Sequence, residues 1–219
     1  MPGMRPAEGA SHDETADGLP LAAVVLAAGQ ARRFGGTKQL VPVDGEAMVT
    51  RAVRAALASP AALVVVVTGH DADRVRPAVP QSPRLVLVDN PDYARGQGGS
   101  LRRAAETVRR RLGAAYVAVL LADMPRVTGR HVDQVHAALT RARRRGAGHR
   151  AARAVHDPSG TPGHPVVFAP EALDALCRLP DGDDAPRNLL RSLDCLQVPF
   201  DDDAVIFDVD TPGDAAPLI

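Results

Sequence analysis

The stretch LAAVVLAAGQARRFGGTK, residues 21–38, sets the architecture. Its first eight residues, 21–28, form an apolar run without alternation. The run is far too short for a membrane span and is closed by Gly29, the pattern of a strand buried on both faces. The chain then enters a glycine-rich, cationic loop. Working outward, residues 47–58 carry Val49, Ala52, Val53, Ala56 and Leu57 at helical spacing. Residues 63–68 (LVVVVT) form a second buried strand, 84–88 a third and 116–121 a fourth. Ser100 stands where a helix N-cap belongs, ahead of Leu101, Ala104, Ala105, Val108 and Leu112, and Thr128 is placed to cap a helix with Val132, Val135 and Leu139 on its apolar face.

Short apolar strands alternating with helices of ten or more residues imply βαβ units around a mainly parallel sheet. Beyond about residue 146 the regularity loosens. Strands are expected at 153–156, 165–168, 197–200 and 205–207, with helices near 171–177 and 185–193. Residues 1–20 are polar and without periodicity, so they read as a disordered leader; they contain no apolar segment of a secretory signal. Residues 21–219 are read as one domain of α/β class, a Rossmann-like three-layer sandwich with a mainly parallel, mixed sheet.

Composition narrows the function classes. A chain of 219 residues buries a sizeable core without disulfides or metal, and with only 3% aromatics that core must be Ala, Val and Leu. The 26 basic and 26 acidic residues cancel, which argues against a nucleic-acid partner held by net charge. Cys177 and Cys195 make no disulfide framework, so a cytoplasmic location is expected, with Cys177 in the core. No apolar run approaches the roughly 18 residues of a membrane span. Lys38 is the only lysine among the 26 basic residues. A compact ammonium suits a phosphate held in a tight loop where a planar guanidinium does not fit.

In an open parallel sheet, ligands bind beyond the carboxyl ends of the strands, and three such ends carry unusual residues. Residues 26–38 combine Gly29, Gly35 and Gly36 with Arg32, Arg33 and Lys38, as a phosphate-cradling loop does. The spacing is neither that of a Walker A loop nor G-x-G-x-x-G. Asp123 ends an apolar strand, where a carboxylate must be solvated, paired or bound to a cation; near phosphates it suits Mg²⁺. Asp208 and Asp210, in FDVDTP (207–212), are expected to face opposite sides of a short strand, so that only one joins Asp123. His131 and His136 are expected in solvent, and the acidic runs 181–184 and 201–203 are read as solvated turns.

These motifs together resemble the MobA/MocA-like nucleotidyltransferases, whose first signature is written L-A-[AG]-G-x-S-x-R-[MF]-G-x-x-K. Here that pattern is Leu26, Ala27, Ala28, Gly29, Arg33, Phe34, Gly35 and Lys38, with Ala31 in place of the usual Ser. The resemblance continues through NPDYARGQGGSLRRA (90–104), ADMP (122–125), GTPGHPVVF (160–168) and DVDTPGDA (208–215), and it lies nearest the molybdenum cofactor cytidylyltransferase branch. It implies a fold of the nucleotide-diphospho-sugar transferase type. It also implies transfer of a cytidylyl group from CTP to the phosphate of molybdopterin with release of pyrophosphate, Mg²⁺ being held by Asp123 and Asp210. Arg33 and Lys38 would neutralise the triphosphate. Leu26, Ala27, Ala28, Gly29, Gly35, Thr68, Asp89, Gly98, Gly99 and Ser100 would bind nucleotide, and His164 would sit on the acceptor side. Ala28 leans towards cytosine; Gln97 departs from the apolar residue usual in this branch. A client molybdoenzyme is a further partner of such a protein, expected as a monomer or weak homodimer.

Other readings share these motifs. LAAG, NPD and GHP also resemble relatives assigned as NAD(P)H-dependent oxidoreductases of the nicotine-blue reductase type. A non-catalytic molybdenum-cofactor chaperone is a third reading, which loss of Lys38 or Asp123 would favour, and both are present. Sugar-1-phosphate nucleotidyl transfer, a fourth, shares the fold and the loop, with the small C-terminal third and the GHP motif leaning away from it. Paired carboxylates beside a lysine are natural for a metal-bound triphosphate and unneeded for hydride transfer.

Overall fold

The computed structural model describes residues 18–31 and 34–216. Arg32, Arg33 and most of the expected leader, residues 1–17, lie outside the described residues. Leu19 already packs against the core, and the Pro20 carbonyl accepts from the Tyr116 N–H at 2.9 Å.

The elements in chain order are β1 (Leu21–Leu26), a short hairpin of β2 (Pro42–Val43) and β3 (Glu46–Ala47), α1 (Met48–Ala58), β4 (Leu63–Thr68), α2 (Ala72–Val75), β5 (Leu85–Asp89), α3 (Gln97–Leu112), β6 (Tyr116–Leu121), α4 (Gly129–Arg144), β7 (Ala151–His156), β8 (Thr161–Phe168), α5 (Leu173–Leu176), α6 (Ala185–Arg191), β9 (Cys195–Phe200) and α7 (Pro212–Ala215). Seven strands form one sheet in the order β5-β4-β1-β6-β8-β7-β9. β4, β1, β5 and β6 pair in parallel. β8 runs antiparallel to both its neighbours, while β7 and β9 pair in parallel, which makes the sheet mixed. The reversal follows from the four-residue turn 157–160: so short a connection can only return the chain antiparallel, whereas parallel strands need a long crossover.

Burial shows why these segments are strands. In β1, Leu21, Ala23 and Val25 face one layer with α1 and α4, and Ala22, Val24 and Leu26 face the other with α3 and α5. Covered on both sides, the strand tolerates no polar alternation. The helices supply one apolar stripe each: Val49, Ala52, Val53 and Ala56 from α1, Leu101, Ala104, Ala105 and Val108 from α3, and Val132, Val135 and Leu139 from α4, all essentially buried. Cys177 lies in the α3/α5 layer.

Four local expectations need correction. Helix α3 begins at Gln97, three residues before the expected cap, and Ser100 instead accepts a hydrogen bond from Asn90 Nδ2 at 2.9 Å. His131 and His136 are buried rather than solvated. Nδ1 of His131 accepts from the Thr128 N–H at 2.9 Å in a capping box, and His136 meets the Tyr116 ring edge-on at 5.0 Å. Residues 205–207 are not a strand but the end of a 3₁₀ helix, a turn at Ile206 and irregular chain. The run 181–184 is not a free turn; it packs on the start of α3, as described below.

Candidate active site

The sheet order reverses at β1, whose neighbours β4 and β6 lead away in opposite directions. That reversal opens a crevice at the carboxyl ends of β1 and β6, where the 26–38 loop and the 121–125 loop emerge. A cavity of about 400 Å³ lies there, with Ala28, Gly29, Lys38, Gln39, Ser100 and Asp123 in its walls. A second cavity, of about 1160 Å³, carries His164, Asp208, Asp210, Arg153, Arg187 and Arg191. Leu26, Gln97, Leu121 and Asp183 belong to both walls, so the two cavities share a rim.

Lys38 stands at the junction. Its Nζ donates to Asp123 Oδ2 at 2.7 Å, to Asp210 Oδ1 at 3.0 Å and to the Val209 carbonyl at 3.1 Å. The lysine side chain is 11% exposed, against 25% for Asp123 and 45% for Asp210, so the Asp123 contact is the more sheltered. Burial alone would lower the Lys38 pKa, but Asp123 and then Asp210 outweigh it and hold the ammonium above its ordinary value.

The supports of this cluster come from three places. Gln39 Nε2 donates to the Ala27 and Gly29 carbonyls at 3.2 and 2.7 Å, tying the far end of the loop to its start. Thr37 Oγ1 donates to Asp71, which also receives Arg74 at 3.2 Å, anchoring the loop to the segment after β4. The 207–212 segment is fixed by the Val209 N–H donating to the Asp123 carbonyl at 2.9 Å, by Val209 packing with Val43, Met48 and Ala215, and by Arg126 stacked 3.8 Å over Phe207.

Asp208 and Asp210 do not part company. Even in a strand, positions i and i+2 share a face, and here, in irregular chain, Asp208 and Asp210 both line the second cavity. Burial, then Asp210 and Asp123, push the Asp208 carboxyl above the usual range. Three carboxylates thus sense one another beside one ammonium.

Other residues singled out from the sequence fall elsewhere. Thr68 and Asp89 approach each other at 3.4 Å at the ends of β4 and β5 and are not among the cavity walls; Asp89 also meets Arg76 at 3.4 Å. Ala27 is buried behind the loop and Gly35 occupies a turn outside the walls. Gly98 and Gly99 lie behind the walls, under the 179–185 loop. A Cβ at Gly98 would stand 2.2 Å from the Pro180 carbonyl oxygen, and its N–H donates to the Gly182 carbonyl at 2.9 Å. Ser100 does line the first cavity, held by Asn90, which also accepts from Arg103 Nε at 2.9 Å. That network explains the NPD motif as a brace for α3. His164 lines the second cavity with Nδ1 3.4 Å from the Val119 carbonyl, a geometry only the Nδ1–H tautomer satisfies. Burial lowers its pKa and keeps the ring neutral.

Sequence reasoning missed Gln39 and the 181–184 loop. Asp183 accepts the Gln97 N–H at 3.0 Å, and Asp181 pairs with Arg102 at 2.9 Å. Gln39 had a signal, its place next to the sole lysine; a polar run such as DGDD gives none until its partner is known.

Among the described residues no group of three or more His, Cys, Asp or Glu side chains forms a ready cation cage. The fit to a hard divalent cation rests on other ground: Asp123 Oδ1 is sealed from solvent with no hydrogen-bond partner in the described structure. A buried bare carboxylate oxygen beside a second carboxylate is the donor set Mg²⁺ takes when substrate phosphates and water fill its remaining positions. No helix of the described residues is long and apolar enough to cross a membrane.

The chain is similar to several known proteins. The family model described as MobA-like NTP transferase domain matches residues 23–198. The chain is 25% identical over 191 residues to the molybdenum cofactor cytidylyltransferase of Escherichia coli K12, covering 87% of this chain and 91% of that protein. Among solved structures, the homologue of Mycobacterium tuberculosis Rv0371c from Mycobacterium sp. strain JC1 is 28% identical, with TM-score 0.73 over 90% of this chain and 94% of that one. The manganese complex of Rv0371c from M. tuberculosis H37Rv is 26% identical, with TM-score 0.66 over 91% and 97%.

Proposed function

The chain belongs to the MobA-like NTP transferase domain family, and from that premise we propose that it transfers a cytidylyl group from CTP to the terminal phosphate of a molybdopterin-type acceptor, with Mg²⁺ as cofactor. The observation that carries the reading is Lys38 held between Asp123 and Asp210 where two cavities share a rim. A two-substrate transfer needs its charge-neutralising groups at such a junction, with the donor on one side and the acceptor on the other. The likeness to the E. coli cytidylyltransferase supports the choice of base and acceptor.

In this reading the smaller cavity takes the nucleotide, its phosphates lying along the 26–38 loop, with Arg33 from the same loop adding charge. An oxygen of the acceptor phosphate attacks the α-phosphorus in line. The new P–O bond forms as the bond to the β-phosphate bridging oxygen breaks, and pyrophosphate departs. No protein nucleophile is required, because positioning and electrostatic stabilisation supply most of the acceleration in such transfers. Lys38 stabilises charge building on the transferred phosphoryl group. Asp123 and Asp210 hold that ammonium in place and present oxygens to the cation; Mg²⁺, when bound, screens the repulsion between the triphosphate and the incoming phosphate. His164, neutral and in the wall of the larger cavity, orients the acceptor without adding charge.

The test is thermal stabilisation of the purified protein by CTP, GTP, ATP, UTP and NADPH, each with and without Mg²⁺, because a ligand of the native state raises stability with the logarithm of its saturation. A Mg²⁺-dependent shift that is largest with CTP is the expected result. A Mg²⁺-independent shift with NADPH and none with the triphosphates would overturn the proposal in favour of hydride transfer.

A further inference from the structure

Arg153 has no part in the transfer just described, and its setting is unfavourable without a ligand. It lies in the interior strand β7, beside Val166 of β8 and Gln197 of β9. Its neighbours Ala152 and Ala154 pack into the α1/α4 layer, so Arg153 turns the other way, into the wall of the larger cavity. The side chain is half-buried; its Nε is sealed from solvent and meets no hydrogen-bond acceptor among the described residues. A guanidinium cannot shed its charge to escape burial, and a sealed Nε–H without an acceptor is unfavourable.

The surroundings sharpen the point. Arg187 and Arg191, one turn apart on α6, line the same cavity. Burial lowers the Arg153 pKa; Cys195 acts the other way, and Arg187 adds to the lowering. Of the acidic groups of that wall, Asp183 accepts from Gln97, Asp210 accepts from Lys38, Asp194 lies 3.0 Å from His149 Nδ1, and the pKa of the Asp208 carboxyl is raised by burial and by its acidic neighbours. Arg187 meets Asp184 at 3.2 Å, an exposed contact worth little.

We propose that Arg153, flanked by Arg187 and Arg191, forms an oxyanion subsite that holds a second anionic group of the acceptor, separate from the phosphate that attacks at the Lys38 cluster. The proposal rests on the larger cavity being the acceptor side. It identifies the acceptor class as a molecule with two anionic ends, one reacting and one anchored, and makes Arg153 a specificity residue for the second.

The experiment is thermal melting of the full chain against sodium phosphate, at ionic strength matched with chloride, for wild type, Lys38→Ala, Arg153→Gln and Arg153→Lys. Phosphate should stabilise wild type and Lys38→Ala, while Arg153→Gln needs at least about tenfold more phosphate for the same shift and Arg153→Lys falls between. Without phosphate, Arg153→Gln should melt no lower than wild type, because the sealed Nε–H had no acceptor to lose. If Arg153→Gln does not fold, the subsite is refuted as a ligand site and Arg153 is structural. Arg187→Gln and Arg191→Gln, both at exposed positions, give an independent reading of the phosphate shift. The proposal is overturned if wild type responds to phosphate no more than to chloride, or if Arg153→Gln responds as wild type does. A parallel titration with CTP and Mg²⁺ separates the two readings. Phosphate dependence on Arg153 without nucleotide binding sinks the transferase and leaves the subsite; nucleotide binding without that dependence does the reverse.

Discussion

Replacing Lys38 by alanine removes the ammonium from between two carboxylates, and the size of the effect follows from their exposure. The contact to Asp123 is short and sheltered, and its loss leaves a mostly buried carboxylate with neither oxygen paired. Breaking a buried pair by deleting one partner costs about 3–5 kcal/mol, and the 25% exposure of Asp123 favours the lower end. The contact to Asp210, whose side chain is 45% exposed, adds no more than about 0.5 kcal/mol. A loss of about 3 kcal/mol in a chain of this size lowers the melting temperature by about 6–12 °C. Scanning calorimetry of the two proteins at neutral pH reads this directly. The same variant should recover part of the loss in millimolar Mg²⁺, and by more than wild type gains, because a cation then satisfies the oxygens the lysine abandoned. Turnover should fall by at least about 100-fold, the scale of one donor aimed at developing charge. A variant that melts within about 1 °C of wild type, with an unaltered response to Mg²⁺, would refute the view that Lys38 neutralises a cation-binding carboxylate pair.

Other substitutions probe separate parts of the site. Asp208→Asn removes a carboxylate that Asp210 and Asp123 repel, so the protein without cation should melt about 1–2 °C higher while binding Mg²⁺ more weakly; a lower melting temperature would show Asp208 to be paired instead. Gly163→Ala would put a Cβ 1.9 Å from the Val205 carbonyl oxygen, displacing the turn that leads into 207–212. Turnover should drop about tenfold or more with nucleotide affinity retained, and parallel kinetics and binding measurements would expose a wrong assignment if affinity fell first. The folded pKa of His164 is depressed below its ordinary 6.5, so the unfolded chain takes up that proton more readily and the stability due to the neutral ring is lost as pH falls below about 6.5. Chemical denaturation from pH 8 to pH 5 should therefore show a shallower acid loss for His164→Gln; identical slopes would remove His164 from the titrating groups.

The parallel half of the fold was legible because burial on both faces writes itself into sequence as unbroken Val, Leu and Ala. The runs at 21–26, 63–68 and 116–121 needed nothing more. β7–β9 were harder: a short turn at 157–160 reverses the chain, β8 inserts next to β6, and β7 carries an arginine in the middle of an interior strand. Lys38 was conspicuous as the sole lysine, and Asp123 as a carboxylate ending an apolar strand. The motif resemblance paired Asp210 with Asp123, but that Lys38 would bridge them, and that Asp208 would line the same cavity as Asp210, depends on a docked segment whose path no local pattern announces. Gly98 shows a limit of another kind. A glycine in a loop near a helix start suggests backbone opened to a ligand, yet here the close approach is to the protein's own 180–182 backbone.

The lysine at the junction finds its partners 171 and 172 residues further along the chain. During synthesis the glycine-rich loop, β1 and β6 are complete long before the ribosome adds Val209 and Asp210. Until then the ammonium has Asp123 as its one carboxylate, and the segment that walls the larger cavity is missing. A chain that has reached only Phe200 thus carries the residues of every strand but lacks one of the two carboxylates that flank Lys38.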